Sequence, residues 1–183
     1  MLQNLGHQSQ GITVHATKSF SLTGNIPNQR LGSIIKIDNL GTGLPGDILI
    51  AANRLSLKDG GQIWNSAFSK GLSGNITVNV QGLMDLNGFV PANPAIPSSI
   101  LTNTTSSSNG GDILVSTSNL RIGNGATIAS SSVASGKAGR VGINVKDLIE
   151  IAGNNPISKV PGSITSSTLL WVMQITLWLT HPD

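Results

Sequence analysis

The chain contains no cysteine and no tyrosine among its 183 residues, and only 3% of its residues are aromatic. The lack of cysteine excludes disulfide bonds, thiolate metal sites and cysteine nucleophiles. Charged residues are also scarce, at 10% compared with about 25% in an average protein. The net charge of +3 comes from scattered side chains, so we expect no nucleic-acid partner.

Long apolar runs are absent as well. No stretch of about 18 apolar residues occurs, so the sequence predicts no membrane span. The first residues, MLQNLGH, lack the basic start and the apolar segment of a signal peptide. The chain as a whole is 38% hydrophobic and rich in glycine, isoleucine, valine and leucine. This composition indicates a folded chain of strands and turns.

The most informative feature is a long internal repeat. Residues 46–91 match residues 111–156 without a gap, and 15 of the 46 pairs are identical. About three or four identities are expected by chance, so the match predicts repeated structural units. The identical residues of the first copy are Gly46, Asp47, Ile48, Leu49, Leu55, Gly60, Ile63, Ser66, Gly71, Gly74, Asn79, Val80, Leu83, Gly88 and Pro91.

A shorter unit lies within the long repeat. Four units begin with glycine, a polar residue and alternating β-formers, and a fifth, at 11–14, has the glycine directly before the β-formers. The first β-formers are Ile12, Ile48, Ile76, Ile113 and Val141. In the last four units a leucine follows seven residues later, and we predict that these leucines stack on one another: Leu55, Leu83, Leu120 and Leu148. Further ladders are predicted from Leu57, Leu86, Ile122 and Ile151, and from Ile63, Ile100, Ile128 and Ile164.

These units predict an all-β fold, a right-handed parallel β-helix of about five coils over residues 1–167. We expect three short strands per unit, with glycine allowing the corner conformations. One unit cannot bury its apolar side alone, whereas stacked units can. The rival is a β-sandwich, which has short strands but gives no reason for a fixed sequence period. Parallel neighbouring strands would favour the β-helix.

Two groups of polar residues are interpreted as structural or solvent-exposed. Asn79 and Asn144 are equivalent, and we expect a polar ladder from them, inside the stack or at a corner. The stretch 102–111 is rich in serine, threonine and asparagine, and it predicts a solvent-exposed loop that could contact glycans or a cell surface.

Motifs for catalysis or for metal and cofactor binding are weak. The segment 41–46, GTGLPG, fits a dinucleotide pattern, but a strand rather than a helix follows, so a turn is expected. The histidines His7, His15 and His181 are too far apart for a local metal site. Asp47 and Asp112 occupy equivalent turn positions, while Asp147 and Glu150 have only Lys146 nearby. We therefore predict no catalytic, cofactor-binding or metal-binding residues and no enzyme activity.

Four short sequence motifs occur in a fixed order: 110–115 (GGDILV), 119–122 (NLRI), 125–130 (GATIAS) and 136–141 (GKAGRV). In these motifs the chain resembles the filamentous haemagglutinin-like exoproteins, especially cyanobacterial ones. The resemblance covers about residues 11–167. It implies an internal β-helical fragment of a secreted surface adhesin, exported by an outer-membrane partner in two-partner secretion, with glycans or cell surfaces as targets.

Residues 168–183 depart from the repeat, because they contain two of the three tryptophans and no glycine. The repeat predicts a new unit near residue 175. Our hypothesis for this non-repeat tail is a frameshifted and truncated reading frame, since a shifted reading of the codons restores a glycine-rich phrase. The alternative is a genuine apolar strand that caps the stack or touches a membrane.

Two functions remain open at this point. The first is a structural or adhesive segment of a surface protein, and the second is a β-helical carbohydrate-active enzyme such as a polysaccharide lyase or glycosidase. A cluster of carboxylates on one strand face would favour the enzyme, whose chemistry needs paired acids. Serine, threonine and asparagine covering the faces would favour the adhesive segment.

Overall fold

A computed structural model describes residues 10–24 and 31–168, together with the backbone of residues 2–4 and 176–177. Within these residues the chain forms strands, turns and bends, and no helix. The strands in chain order are β1 Leu2–Asn4, β2 Ile12–Thr23, β3 Ile34–Asn39, β4 Ile48–Lys58, β5 Gln62–Ala67, β6 Ile76–Asn87, β7 Phe89–Val90, β8 Asn93–Pro97, β9 Ser99–Thr104, β10 Ile113–Gly123, β11 Thr127–Ser132, β12 Val141–Ala152, β13 Ser163–Thr168 and β14 Thr176–Leu177.

Two parallel six-stranded sheets make up the fold. The long strands form one sheet in the order β2-β4-β6-β10-β12-β14, and the short strands form the other in the order β1-β3-β5-β9-β11-β13. The chain alternates between the sheets, and only the small hairpin of β7 and β8 is antiparallel among the described strands. Parallel pairing throughout both large sheets excludes the antiparallel β-sandwich, and the arrangement is compatible with a β-solenoid.

The predicted stacking of unit starts is confirmed by the register of the long strands. Ile12, Ile48, Ile76, Ile113 and Val141 are successive partners. Two residues further on, Ile50, Val78 and Val115 are fully buried in the same way. Alternate side chains point inward because strand residues have a period of two, so these ladders form a continuous apolar core.

The predicted leucine ladder is wrong in half of its members. Leu55 and Leu120 both pair with Met84, which is fully buried, while Leu83 pairs with Asn119. Leu148 also pairs with Asn119 and is 47% exposed, and Ile149 takes the position beside Leu120. The cause is one extra residue: β2, β6 and β12 have 12 residues, whereas β4 and β10 have 11.

The extra residue lies at a register shift in the middle of each long strand. We expected two short strands here, and the structure instead has one long strand with an irregularity. The first two predicted strands are therefore continuous, and each unit has two strands rather than three. After the shift the chain returns to register, since Leu57, Leu86, Ile122 and Ile151 are partners as predicted.

The short strands confirm the third predicted ladder, of Ile63, Ile100, Ile128 and Ile164. Two residues further along is an internal row of polar side chains that the sequence did not predict: Asn65, Thr102, Ser130 and Ser166, all buried. Each donates to a glycine carbonyl, for example Thr102 Oγ1 to Gly111 at 2.7 Å and Ser166 Oγ to Gly139 at 2.8 Å. These bonds tie the short sheet to the start of the long one.

The stretch 102–111 differs from the predicted exposed loop. Its first residues belong to β9, and Thr102 and Thr104 are buried within the stack. Residues 105–112 form the connection to β10. The ladder predicted for Asn79 and Asn144 also differs, because both lie outside the core on exposed positions and Ser116 separates them.

Glycine serves two purposes at the corners. At the corner after the long strands it provides positive φ, for example 86° at Gly60 and 82° at Gly125, as predicted. At the start of each unit it instead allows close packing. A Cβ on Gly74 would lie 2.1 Å from the carbonyl oxygen of Gly46, and one on Gly111 would lie 2.0 Å from that of Gly74.

One strand of the non-repeat tail lies within the described residues. In β14, Thr176 pairs in parallel with Gly142 and Leu177 with Ile143, so the long sheet continues near residue 175, where the repeat predicts a unit. The rest of the segment 169–183 lies outside the described residues, and the frameshift stays a prediction.

Candidate functional site

The outer face of the long sheet contains a groove where the long strands change register. Its volume is about 530 Å³, and its lining comes from β2, β4, β6, β10 and β12. The groove crosses all five strands. Since neighbouring strands lie about 4.8 Å apart, its length is about 19 Å. Equivalent positions of the five repeat units therefore form this surface together.

Two rows of outward side chains border the groove. The first row consists of register partners: His15, Ala51, Asn79, Ser116 and Asn144. The second row follows the last paired residue before each register shift: Thr17, Asn53, Gln81, Ser118 and Lys146. Both rows lie at the register shift of the long strands, and an irregularity of this kind re-aims side chains.

Several amides in the groove have unused hydrogen-bonding groups. Asn53, Asn79 and Gln81 are exposed, and their side chains make no hydrogen bond within the described part of the chain. In contrast, the hydroxyl groups of Thr117 and Ser118 already donate to the carbonyls of Gly82 and Gln81, each at 2.8 Å. The free amides can both donate and accept hydrogen bonds to a ligand.

The groove carries little charge. Lys146 and His15 lie at opposite ends of its lining, and the described residues that line it include no carboxylate. General acid-base hydrolysis of a glycosidic bond normally requires a pair of carboxyl groups. The arrangement can hold a ligand through hydrogen bonds, but these side chains offer no acid-base pair for cleavage.

A row of charged residues lies on the part of the long sheet that follows the register shift. Asp85, Arg121 and Glu150 are partners on β6, β10 and β12. Arg121 Nε lies 3.1 Å from Glu150 Oε2, and Lys58 Nζ lies 3.4 Å from Asp85 Oδ2. The prediction that Glu150 lacks a basic neighbour beyond Lys146 is wrong, because sequence distance hides a partner on the adjacent strand.

The ion pairs determine what this row can do. Both carboxylates face cations, so they form a mostly exposed, charge-balanced ladder rather than a pair of acids facing each other across an open site. Exposed ion pairs of this kind contribute about 0–1 kcal/mol to stability. The row nevertheless brings two acids onto one strand face, which is the feature expected to favour an enzyme.

Asp47 and Asp112 have the structural turn role that the repeat predicts. Asp47 Oδ1 accepts the backbone N–H of Asn75 at 2.8 Å, and Asp112 Oδ1 accepts that of Arg140 at 2.7 Å. Between them, Asn75 Oδ1 accepts the N–H of Asp112 at 2.9 Å. These side chains extend the hydrogen-bond ladder by one residue beyond the long strands.

The remaining positions considered in the sequence are the glycine-rich segment 41–46 and the three histidines. Residues 41–43 form a bend, β4 begins at Ile48, and no helix N-terminus follows that could hold a pyrophosphate. His15 borders the groove, while His7 and His181 lie outside the described residues. Over the described ranges, histidines and carboxylates do not gather in threes as a metal site would need.

A second outward cluster lies on the short sheet. Lys36 Nζ is 2.9 Å from Asp38 Oδ2 and 5.0 Å from the centre of the Trp64 ring. The atoms Asp38 Oδ1, Trp64 Nε1 and Ser66 Oγ are buried there without a hydrogen-bond partner among the described residues. No sequence pattern indicated this cluster, since its members come from different strands.

Comparison with known proteins identifies no relative. No protein-family model, no curated protein and no solved structure matches the chain. In the described residues no helix has the length and apolar character that a membrane crossing requires. We therefore infer the function from the geometry of the sheets and the groove.

Proposed function

We propose that the chain is a right-handed parallel β-helix of about five coils that serves as a structural and adhesive segment of a secreted bacterial surface protein. A coil here means one long strand and the short strand that follows it. The observation that carries the proposal is the register of the five long strands, in which equivalent residues pair from β2 to β12.

This register supports a rod. A stack whose coils contact only their neighbours can be lengthened by adding coils without changing its cross-section. Five coils at about 4.8 Å each extend about 25 Å. Such a segment suits a protein that holds binding surfaces away from a cell.

The open edge of β2 supports the proposal that this segment lies inside a longer rod. In the described part of the chain, β2 pairs only with β4, and Ile12, Val14, Phe20 and Leu22 pack against the core only partly buried. A further coil in register would cover them and pair with the open edge. We propose that the full-length protein supplies such coils and that it reaches the cell surface through an outer-membrane secretion partner.

The family resemblance also supports the proposed adhesive segment. The motifs at 110–115 and 136–141 form the starts of β10 and β12 together with the connections before them. These glycine-rich starts permit close stacking, and they are among the motifs in which the chain resembles filamentous haemagglutinin-like exoproteins. We propose a non-catalytic role of this kind.

The deciding experiment is to sequence the genomic DNA on both sides of the coding region. We expect in-frame repeat units on both sides and a secretion domain upstream, and a shifted frame after residue 168 that restores the glycine-rich phrase. Flanking DNA without repeats or without a secretion domain would contradict the proposed surface protein.

The carbohydrate-active enzyme remains the second candidate because Asp85 and Glu150 share one strand face with Arg121. The purified chain should be incubated with neutral and acidic polysaccharides while new reducing ends and unsaturated uronates are measured. We expect no product. Activity that is lost in both Asp85→Asn and Glu150→Gln, with the fold intact by circular dichroism, would support the enzyme instead.

A further inference from the structure

We infer that the groove across the long strands binds a neutral polysaccharide, whose chain lies along the stack and perpendicular to the strands. This inference deepens the adhesive function proposed above and rests on it. It identifies both the class of ligand and the residues that contact it.

The lining indicates a ligand that is neutral and rich in hydroxyl groups. Between His15 at one end and Lys146 at the other, the polar side chains are amides and hydroxyls. The side-chain amides of Asn53, Asn79 and Gln81 are exposed and free within the described residues. Sugar hydroxyls match such groups because both partners donate and accept hydrogen bonds.

The period of the groove indicates a polymer. Asn79 and Asn144 are equivalent in the long repeat and lie two strands apart, at about 10 Å. Along its full length the groove presents similar polar groups at most strands. A long ligand with its own repeating hydroxyls can contact several of these positions at once, whereas a single sugar can contact few, and linked contacts raise the affinity.

The floor of the groove suits a flat ring. Ala16 and Ala51 are small and partly exposed, so they leave room above the first strands of the groove, while Ala52, Val80 and Thr117 beneath it are more than nine-tenths buried. The two partly exposed alanines provide a small apolar surface for the carbon-bound hydrogens of a sugar ring. The amides at the rims then select the hydroxyls, as in pockets where a few polar groups fix the orientation of the ligand.

Other polymers fit less well. An extended polypeptide is usually bound by pairing with the free edge of a sheet, but the groove crosses the strands, whose backbone groups pair with their neighbours. A nucleic acid requires cations along the phosphates, and Lys146 is the sole lysine or arginine among the described residues of the lining.

Affinity electrophoresis of the full chain in native gels provides the test. The gels contain dextran, soluble starch or hydroxyethyl cellulose as neutral probes, and alginate as an anionic probe. The test variant is Asn79→Ala combined with Gln81→Ala, which removes two free amides from β6. The matched control is Asn154→Ala, which removes an exposed amide outside the groove lining.

We expect at least one neutral polysaccharide to retard the chain. The dissociation constant should rise about tenfold or more in the double variant, since two hydrogen bonds are lost. It should stay unchanged in Asn154→Ala. Circular dichroism should show the same melting temperature for all three proteins, because the substituted side chains are exposed to solvent.

The inference would be overturned if no neutral probe retards the chain, whether or not alginate does. Equal retardation of the double variant and the parent would also overturn it. So would displacement of a bound neutral probe by an extended peptide. These results would not contradict the proposed structural function, because repeats in the flanking DNA test that function independently of binding.

Discussion

At the scale of single residues, the start of each unit explains the recurrent glycine and polar pair. The glycine lies against the backbone of the preceding unit, as Gly139 does against the carbonyl of Gly111, where a Cβ would be 2.0 Å away. The polar side chain that follows accepts a backbone N–H of the next unit. Both requirements arise from stacking, since the bonded partners belong to successive units of the chain.

The substitution Gly111→Ala tests the close approach. Its methyl group would overlap the backbone of Gly74, so the strands must separate, and we expect a loss of about 3 kcal/mol in the free energy of unfolding. Gly142→Ala is the control, because the nearest atom there is the flexible Cδ1 of Leu114 at 3.2 Å. Urea denaturation should show a change within about 1 kcal/mol for the control. Equal effects of the two substitutions would contradict the explanation.

The carboxylate of Asp112 has two roles that substitution can separate. It accepts the N–H of Arg140 and also faces that guanidinium, whose side chain is 87% exposed. Asp112→Asn keeps the acceptor and should be nearly neutral, since exposed ion pairs contribute little. Asp112→Ala removes the acceptor and should cost about 1 kcal/mol in thermal or urea unfolding. A large effect of Asp112→Asn would show that the ion pair dominates.

At the scale of the strand, an alternation in strand length determines which side chains enter the core. The longer strands β2, β6 and β12 have one additional residue at the register shift. After this residue the inward positions move by one, so Met84 rather than Leu83 stacks between Leu55 and Leu120. The groove lies at the same irregularity.

Two neighbouring substitutions distinguish these registers. Met84→Asp places a carboxylate in the fully buried core and should destabilise the chain by about 3 kcal/mol or more, or prevent folding. Leu83→Asp affects a half-buried outward position and should cost about 1 kcal/mol or less. Soluble yield and urea midpoints provide the measurement. If Leu83→Asp is the more harmful change, the observed register is wrong.

At the scale of the whole molecule, the parallel pairing of both sheets makes stability a sum of unit and neighbour contributions. Interior strands such as β6 have a partner on each side, whereas β2 has one among the described strands. The apolar ladders and the internal row of Asn65, Thr102, Ser130 and Ser166 run through the units. A longer stack should therefore be more stable than a shorter one.

A duplication tests this additivity. A second copy of residues 46–110 inserted after residue 110 preserves the repeat and adds two units in register. We expect a higher melting temperature and a steeper urea dependence, because more surface is buried in the native state. The control is an insertion of the same segment in scrambled order, which should not raise the melting temperature. A separate second transition for the duplicated protein would contradict a single stack.

The sequence by itself determined the units and their approximate period. Identical glycines and β-formers recur because each unit must present the same surface to its neighbours, so Ile48, Ile76 and Ile113 could be aligned correctly from the sequence alone. It also determined the corner roles of Gly60 and Asp47. Periodic packing leaves a periodic sequence, and such a pattern can be recognised without coordinates.

Only the tertiary structure decided the rest. The extra residue in β6 and β12 moved Leu83 and Leu148 out of the core, because a one-residue difference between neighbouring strands is absorbed by an irregularity whose place the pattern does not show. The pairing of Arg121 with Glu150, the internal polar row and the groove likewise join residues from adjacent strands. Their chemistry depends on short distances across the sheets, which long separations along the chain conceal.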